Sequence, residues 1–254
     1  FDGIELLEPS IKSVRNQADF ITVVYQTISN RLAPAPPFTE KVLQNLKERG
    51  LINHLEPYRP KFDRPITPGD IKPRECHQNE INKRIIGQQI CKDNGCTHFM
   101  SMDVDEFYIE KEFEKTKEKA NLFDATAVHV LEYDAYPTGE TKIISLFCPF
   151  IHDIRLDYVL EGAYFVLVDP TRRLGGYSKP FTFPPKEIMM HHMTNCRMNK
   201  KSLEAKFYNS SAKSTFKNIP HIIREIQKKR EIYEKNNIKD PFGIIDHWQS
   251  ISFS

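Results

Sequence analysis

The sequence lacks any apolar run long enough to span a bilayer. Its longest apolar stretches, such as the AYFVLV run that ends at Val168, are six residues or so, where a membrane helix needs about 20. The chain also shows no basic segment followed by an apolar one at its start, which is the pattern of a secretory signal. We therefore expect a cytoplasmic protein, either free in solution or attached peripherally to a membrane.

Cysteines are few and irregularly spaced. There are five of them, an odd number, which indicates reduced thiols and not a disulfide framework. Cys91, Cys96 and His98 lie close together in the chain, but their spacing matches no common zinc site and no fourth ligand is evident. The sequence therefore predicts neither disulfides nor zinc.

A large net charge is also missing. The formal charge is only +2, so we expect no nucleic-acid partner. The charge is nevertheless uneven, because the segment from Arg197 to Arg230 contains ten Lys and Arg residues against two Glu. A surface of this kind suits a phosphate-bearing ligand or an anionic membrane, although a solvated helix face is an equally good explanation.

Apolar patterning predicts alternating strands and helices. Helices are predicted over 4–17, 38–50 and 75–94, and strands over 18–26, 51–58 and 96–103. Four prolines between Arg59 and Arg74 mark that segment as a loop. This order is typical of an α/β fold with a mostly parallel central sheet flanked by helices, in which ligands bind at the carboxyl ends of the strands.

An acidic motif follows the last of these strands. Asp103, Asp105 and Glu106 come directly after an apolar run, and Phe107 and Tyr108 come next. Carboxylates this close repel one another unless a cation lies between them, and hard oxygen ligands favour Mg²⁺ or Mn²⁺ held together with substrate phosphates. The motif therefore predicts a site for a metal ion and a diphosphate.

Two other kinds of site also use acids in this arrangement. A calcium-binding EF-hand loop needs Gly at its sixth position, where this chain has Tyr108. A two-metal nuclease or nucleotidyltransferase needs acids from other elements, and Asp134, Asp153 and Asp169 are candidates. The calcium site is excluded, while the nuclease or nucleotidyltransferase and a non-catalytic α/β binding module stay open.

Two blocks of the sequence resemble a known enzyme family. The segment NEINKRIIGQQICKDNGCTHFMSMDVDEFY is similar to the centre of GT-A fold nucleotide-sugar glycosyltransferases, in the family-2-like branch with a D-x-D-E-F motif. The later segment MMHHMTNCRMNKKSLEAKFYNSSA is similar to the part of that family in which a His precedes a basic helix. The likeness spans most of residues 18–212, and it implies a Rossmann-like catalytic domain.

The resemblance implies a set of donor-site residues. Asp105 would be the main ligand of Mn²⁺ or Mg²⁺, Asp103 would face the metal or the ribose, and His191 or its neighbour His192 would be a further ligand, with His191 preferred. A nucleoside-diphosphate sugar, with UDP the first choice, would contact a group of polar residues comprising Gln26, Ser29, Asn30, Lys83 and Arg84. Many relatives have an aspartate near Gln26, and this chain does not.

The predicted function is metal-dependent transfer of a sugar to a saccharide or lipid-linked acceptor, in polysaccharide biosynthesis. The sequence does not decide between inversion and retention, and the family resemblance favours inversion. Inversion requires a carboxylate base, for which Asp169 and Asp153 are the first candidates and Asp134 the third. Residues 1–216 would form the catalytic domain, with its first strand absent or truncated because the chain starts in a helix. Residues 217–254 would form a helical tail, in which a helix over 218–237 packs on that domain.

Overall fold

The computed structural model describes residues 3–67, 70–162, 164–209, 217–236 and 240–251, and the structural statements below concern these ranges. Within them the chain is an α/β protein with seven α-helices: α1 (Ile4–Val14), α2 (Thr39–Glu48), α3 (Pro73–Asp93), α4 (Glu110–Ala120), α5 (Lys200–Asn209), α6 (Ile219–Tyr233) and α7 (Ile244–Ser250). The proposed boundary between 216 and 217, the last three residues of the second resembling block and the final residue of the helix predicted over 218–237 lie outside the described residues.

The central sheet has six strands and is mixed. Its strands are β3 (His98–Phe99), β4 (Glu106–Phe107), β5 (Ala125–Tyr133), β6 (Thr141–Asp153), β9 (Pro180–Thr182) and β10 (Met189–His192). Their order is β3-β6-β5-β10-β4, with β9 also paired to β5. Between β6 and β9 in the chain, β7 (Asp157–Tyr158) and β8 (Leu174–Gly175) form a separate antiparallel pair. Only the pairs of β5 with β9 and with β10 are parallel, whereas β5 with β6, β3 with β6 and β4 with β10 are antiparallel.

The expectation of a mostly parallel central sheet is therefore wrong. The reason is the long hairpin of β5 and β6, whose connection of seven residues is too short for the crossover that parallel strands require. Within it Asp134 N donates to Glu140 O at 3.0 Å and Gly139 N donates to Tyr136 O at 2.8 Å, which closes the turn. The α/β class stands, and the finer GT-A assignment is not decided by this sheet.

A second, small sheet carries the first strands of the chain. β1 (Thr22–Tyr25) and β2 (His54–Pro57) pair in parallel, with α2 as the crossover between them. Gly87 of α3 lies against β1 and β3, since a Cβ added there would lie 3.5 Å from the Val24 side chain and 3.6 Å from Phe99. The helices predicted around α1, α2 and α3 and the strands predicted around β1 and β2 are confirmed, with ends that differ by a few residues.

Two hydrophobic clusters hold the acidic segment in place. Phe107 of β4 packs with Leu6 of α1 and Trp248 of α7 in one cluster, and Tyr108 packs with Phe150 of β6 and Phe113 of α4 in the other. Phe107 and Tyr108 are almost fully buried, so each anchors the end of the acidic motif on a different side. The motif is therefore attached to the core and is not a free surface loop.

The C-terminal helices pack on the rest of the chain. Ile223 and Ile226 of α6 share a buried cluster with Leu203 and Phe207 of α5. Trp248 Nε1 of α7 donates to Glu5 O of α1 at 3.2 Å. Among the described residues, each helix is too short or too polar to cross a bilayer.

Candidate functional site

A tight turn between β3 and β4 shapes the acidic segment. Glu106 N donates to Asp103 O at 3.1 Å, and Asp103 N donates to the Glu106 carboxylate at 3.0 Å. β4 then pairs with β10, where Glu106 is opposite His192, and Met193 N donates to Asp105 O at 2.7 Å. The backbone thus holds all three acids in one corner of the sheet, next to the end of β10.

Asp103 is the most exposed of the three acids and is bound by two arginines. Arg84 Nη2 of α3 lies 3.1 Å from one of its carboxylate oxygens, and Arg172 Nη2 lies 2.7 Å from the other. Its side chain keeps 48% of its accessible surface. Its burial within the protein would raise the pKa of Asp103, but Arg172 and Arg84 outweigh that effect and hold the pKa below the usual range. Asp103 is therefore an anion that is both paired and accessible.

Glu106 is buried and shares Arg172 with Asp103. Its side chain is 4% exposed and contacts Arg172 Nη2 in a short hydrogen bond. Burial is the largest influence on this carboxyl and raises its pKa to about 7, against the opposing pull of Arg172. Arg172 comes from a short 3₁₀ turn (Pro170–Arg172) and is itself only 6% exposed. The Arg172–Glu106 contact therefore connects that turn to β4.

Asp105 has a separate set of cations. Arg197 Nη2 lies 3.0 Å from Asp105 Oδ2, and Lys206 Nζ of α5 lies 2.9 Å from the same oxygen. Burial would raise the pKa of Asp105, but Lys206 and Arg197 outweigh it and lower the pKa well below the usual range. Both cations contact Oδ2, whereas Oδ1 faces a histidine.

That histidine is His192, whose Nε2 lies 3.8 Å from Asp105 Oδ1. Burial lowers the pKa of His192, so the imidazole is neutral near pH 7. Its neighbour His191 faces the other side of β10, where its Nδ1 lies 2.8 Å from the Tyr133 hydroxyl and its ring packs on Phe242. The structure thus brings His192, and not the preferred His191, to the acid cluster.

The polar residues predicted to contact a nucleotide form a network of their own after β1. Lys83 Nζ lies 2.8 Å from both Gln26 Oε1 and Glu80 Oε2. Asn30 accepts from Gln26 at 2.9 Å and donates to Glu80 at 2.6 Å. Ser29 Oγ accepts from the amides of residues 31 and 33 at 3.1 and 3.0 Å, which closes the loop after β1. Arg84, one residue after Lys83, connects this network to Asp103.

The three candidate bases lie in different places. Asp169 caps the 3₁₀ turn of Arg172 by accepting from Thr171 N at 2.8 Å, and the Thr171 hydroxyl lies 3.5 Å from Arg84 Nη2. Asp134 follows β5 and pairs with Lys229 of α6 at 2.5 Å. Asp153 pairs with Arg155 and lies opposite His98, at the start of β3, whereas Asp103 follows the end of that strand. Asp169 is thus next to the cluster, and Asp153 is not.

The sequence did not predict which cations contact the three acids. Arg172, Arg197 and Lys206 lie between 66 and 101 residues from the acids they contact. The sequence signal for Arg197 and Lys206 was the basic run from Arg197 to Arg230, which suits a phosphate-bearing ligand or an anionic membrane and equally a solvated helix face. The repulsion between the acids is therefore already relieved by four protein cations, the fourth being Arg84.

The residues of the cluster fit a metal that is held mainly by its substrate. Within the described ranges no three or more His, Cys, Asp or Glu side chains converge as a complete metal site. Mg²⁺ and Mn²⁺ commonly take one or two protein ligands, with water and phosphate in the other positions. The 3.8 Å between Asp105 Oδ1 and His192 Nε2 exceeds a hydrogen bond, and two ligand bonds of about 2.1 Å each can span it. Asp105 and His192 are therefore the pair that fits such an ion.

The cluster thus combines one carboxylate oxygen and a neutral imidazole 3.8 Å apart with two buried arginines, Arg84 and Arg172, that pair with the neighbouring acids. No protein-family model, curated protein or solved structure matches this chain.

Proposed function

We propose that this protein is a metal-dependent glycosyltransferase that moves a sugar from a nucleoside diphosphate, UDP in the first instance, to a saccharide or lipid-linked acceptor with inversion. The observation that carries the proposal is the pairing of Asp105 Oδ1 with a neutral His192 across 3.8 Å, at the end of β10 and beside two buried arginines. Bound Mn²⁺ or Mg²⁺ would neutralise the charge that develops on a departing diphosphate.

Each group of the chain has a defined task in this proposal. Asp105 and His192 hold the ion, and Arg197 and Lys206 keep the Asp105 carboxylate ionised and oriented through its other oxygen. Arg84 and Arg172 fix Asp103, whose exposed side chain is directed to the donor. Lys83 orders the loop after β1 through Gln26, which favours that loop as the nucleotide side of the site.

The reaction itself is a single displacement. An acceptor hydroxyl forms a bond to the anomeric carbon of the sugar, while the bond from that carbon to the phosphate oxygen breaks and the nucleoside diphosphate leaves with the electron pair. A carboxylate takes the hydroxyl proton, and Asp169 is the candidate that supports inversion best, because its turn contacts Arg84 through Thr171. Asp153 lies at the far end of β3 and has no part in the proposal.

The four protein cations that pair with the acids are also what a non-catalytic binding module would show. No contact among the described residues favours the nucleotidyltransferase or nuclease alternative. We therefore test the transferase directly, by measuring release of free nucleotide from UDP-glucose, UDP-galactose and UDP-N-acetylglucosamine with Mn²⁺ and with EDTA. We expect slow donor hydrolysis with at least one sugar, only in the presence of metal.

Asp105→Asn is the variant that tests the site, because it removes the charge of the carboxylate but keeps its shape. Asp19→Asn is the matched control, since the Asp19 side chain is 94% exposed and contacts only Lys117, at 3.7 Å. The control is expected to hydrolyse donor as the wild type does, and Asp105→Asn to lose hydrolysis by at least about 100-fold. Full activity of a folded Asp105→Asn protein would contradict the proposal.

A further inference from the structure

A groove lies beside the acid cluster, between α5, α6, α7 and the loop after β10. It consists of two adjoining cavities of about 320 and 400 Å³, which share Met198, Arg230 and Glu234 as lining residues. Both cavities are open to solvent, so together they form a groove and not an enclosed pocket. The function proposed above does not use this groove.

The lining of the groove is polar, and the charge of its central arginine is paired, while Lys200 and Glu231 add one charge of each sign. Arg230 Nε donates to Glu234 at 2.6 Å, and Arg230 Nη1 donates to Arg197 O at 2.6 Å. The lining adds the amide side chains of Asn195, Asn199 and Gln227, which offer both donors and acceptors. With its central arginine satisfied in this way, the groove is suited to a neutral ligand with many hydroxyls and not to an anion.

Two aromatic rings support the central arginine of the groove. The Arg230 guanidinium lies 5.5 Å from the Tyr136 ring centroid and 5.6 Å from the Trp248 ring centroid, and both residues are buried. These contacts, together with the two hydrogen bonds, fix the guanidinium in one position. A fixed guanidinium and several amides in one groove can bind the hydroxyls of a sugar ring.

The groove is connected to Asp105 through two residues. Arg197 binds the Asp105 carboxylate with its side chain at 3.0 Å, and it binds Arg230 with its backbone oxygen. α5 lines the groove with Leu203, and one turn later the same helix sends Lys206 to Asp105 at 2.9 Å. A molecule in the groove is therefore only one side-chain layer from the acid cluster.

We infer that this groove binds a neutral saccharide and that the saccharide is the acceptor of the reaction. The acceptor role rests on the proposed function, whereas saccharide binding does not. In the acceptor role a hydroxyl of the bound saccharide attacks the anomeric carbon of the donor sugar, its proton passes to the carboxylate base, and the nucleoside diphosphate leaves.

Gln227 and Lys228 provide a matched pair of variants on α6. Gln227 is half-buried and lines the groove, while Lys228 is exposed, does not line it and pairs only with Glu225 in the same helix. Gln227→Trp fills the groove with a bulky ring, and Lys228→Trp places the same ring on the outer face. Gln227→Ala is the second variant. It removes the amide without adding bulk, so it tests the same contact if Gln227→Trp fails to fold.

Binding is measured first without donor or metal, by saturation-transfer NMR of the full chain with 5 mM maltose, lactose and N,N′-diacetylchitobiose. We expect at least one of these saccharides to give transfer signals in the wild type and in Lys228→Trp, and the signals to fall at least about fivefold in Gln227→Trp and measurably in Gln227→Ala. Absence of signals from all three sugars in the wild type, or equal signals in all variants, would overturn the inference.

Transfer is measured second, with the donor that is hydrolysed and the saccharide that binds. Gln227→Trp is expected to keep the hydrolysis of donor by water but to lose transfer to the saccharide. Hydrolysis without any effect of Gln227→Trp on transfer would refute the acceptor role alone. Saccharide binding without any donor hydrolysis would refute the proposed function and the acceptor role that rests on it, and would leave the groove as a saccharide site.

Discussion

Replacing Arg172 by Met is expected to destabilise the fold, because it leaves Glu106 Oε1 without its hydrogen-bonding partner. The side chains of Arg172 and Glu106 are 6% and 4% exposed, and burial raises the pKa of Glu106 to about 7, so the carboxyl that remains takes up a proton and stays buried as a neutral group. A buried polar group that loses its partner costs about 1–3 kcal/mol. For a chain of 254 residues this corresponds to a fall in Tm of roughly 5 °C.

The double variant shows whether the cost comes from the pair. When Glu106→Gln is combined with Arg172→Met, the interaction that the two side chains share is lost only once, so the loss should be smaller than the sum of the two single losses by about 1–3 kcal/mol. The assay is urea unfolding at pH 7.5, followed by far-UV circular dichroism. Fluorescence of Trp248, the single tryptophan, reports on α7 in the same experiment.

A surface pair is the control for this prediction. Arg155 pairs with Asp153 in much the same way, but its side chain is 81% exposed, so Arg155→Met should leave the unfolding curve unchanged. The reasoning would be refuted if Arg172→Met cost no more than Arg155→Met, or if the losses of Arg172→Met and Glu106→Gln were simply additive.

Two further predictions concern stability. His152 is 1% exposed between Phe99 and Tyr158, neither ring nitrogen has a hydrogen-bond partner within the described chain, and burial lowers its pKa to about 3. Because the unfolded histidine takes up a proton near pH 6.5 and the folded one does not, its contribution is complete above pH 6.5 and is lost as pH falls towards 3. Between pH 7.5 and 5.0 the free energy of unfolding should therefore fall by about 2 kcal/mol less in His152→Phe than in the wild type. An equal fall in the two proteins would argue against a neutral His152. Gly139→Ala should destabilise the β5–β6 hairpin by at least about 1 kcal/mol in urea unfolding, because a Cβ would lie 2.0 Å from the Asp134 carbonyl oxygen; a neutral substitution would contradict this turn geometry.

The sequence predicted α1, α2, α3, β1 and β2 because their signals are local. The apolar stripe of Ile81 and its neighbours and the proline-rich loop before α3 are examples. The strand predicted over 96–103, in contrast, is only the two-residue β3 at the edge of the sheet. The sheet topology was not predictable in this way, since β5 is a nearly continuous apolar run that pairs equally well in either direction. Its direction is set by the short connection to β6, and that turn was not recognised in the sequence.

In the acid cluster, too, the local features were predictable and the tertiary contacts were not. Asp103, Asp105 and Glu106 were singled out from a short motif, but the cations that bind them arrive from α3, a 3₁₀ turn and α5 through tertiary packing alone. The histidine pair could not be assigned from the sequence either. Adjacent strand residues face opposite sides of a sheet, so either His191 or His192 could have faced the acids until the orientation of β10 was known.

The most direct test of the proposed site is a comparison of His191→Gln with His192→Gln. Isothermal titration calorimetry would measure the affinity of each folded variant for UDP in the presence of Mn²⁺, with circular dichroism as the check of folding. If Asp105 and His192 hold the metal, His192→Gln should weaken metal-dependent UDP binding by at least about tenfold, while His191→Gln, whose ring contacts Tyr133 and Phe242, should bind as the wild type does. Wild-type affinity in His192→Gln, or the larger loss in His191→Gln, would contradict the account.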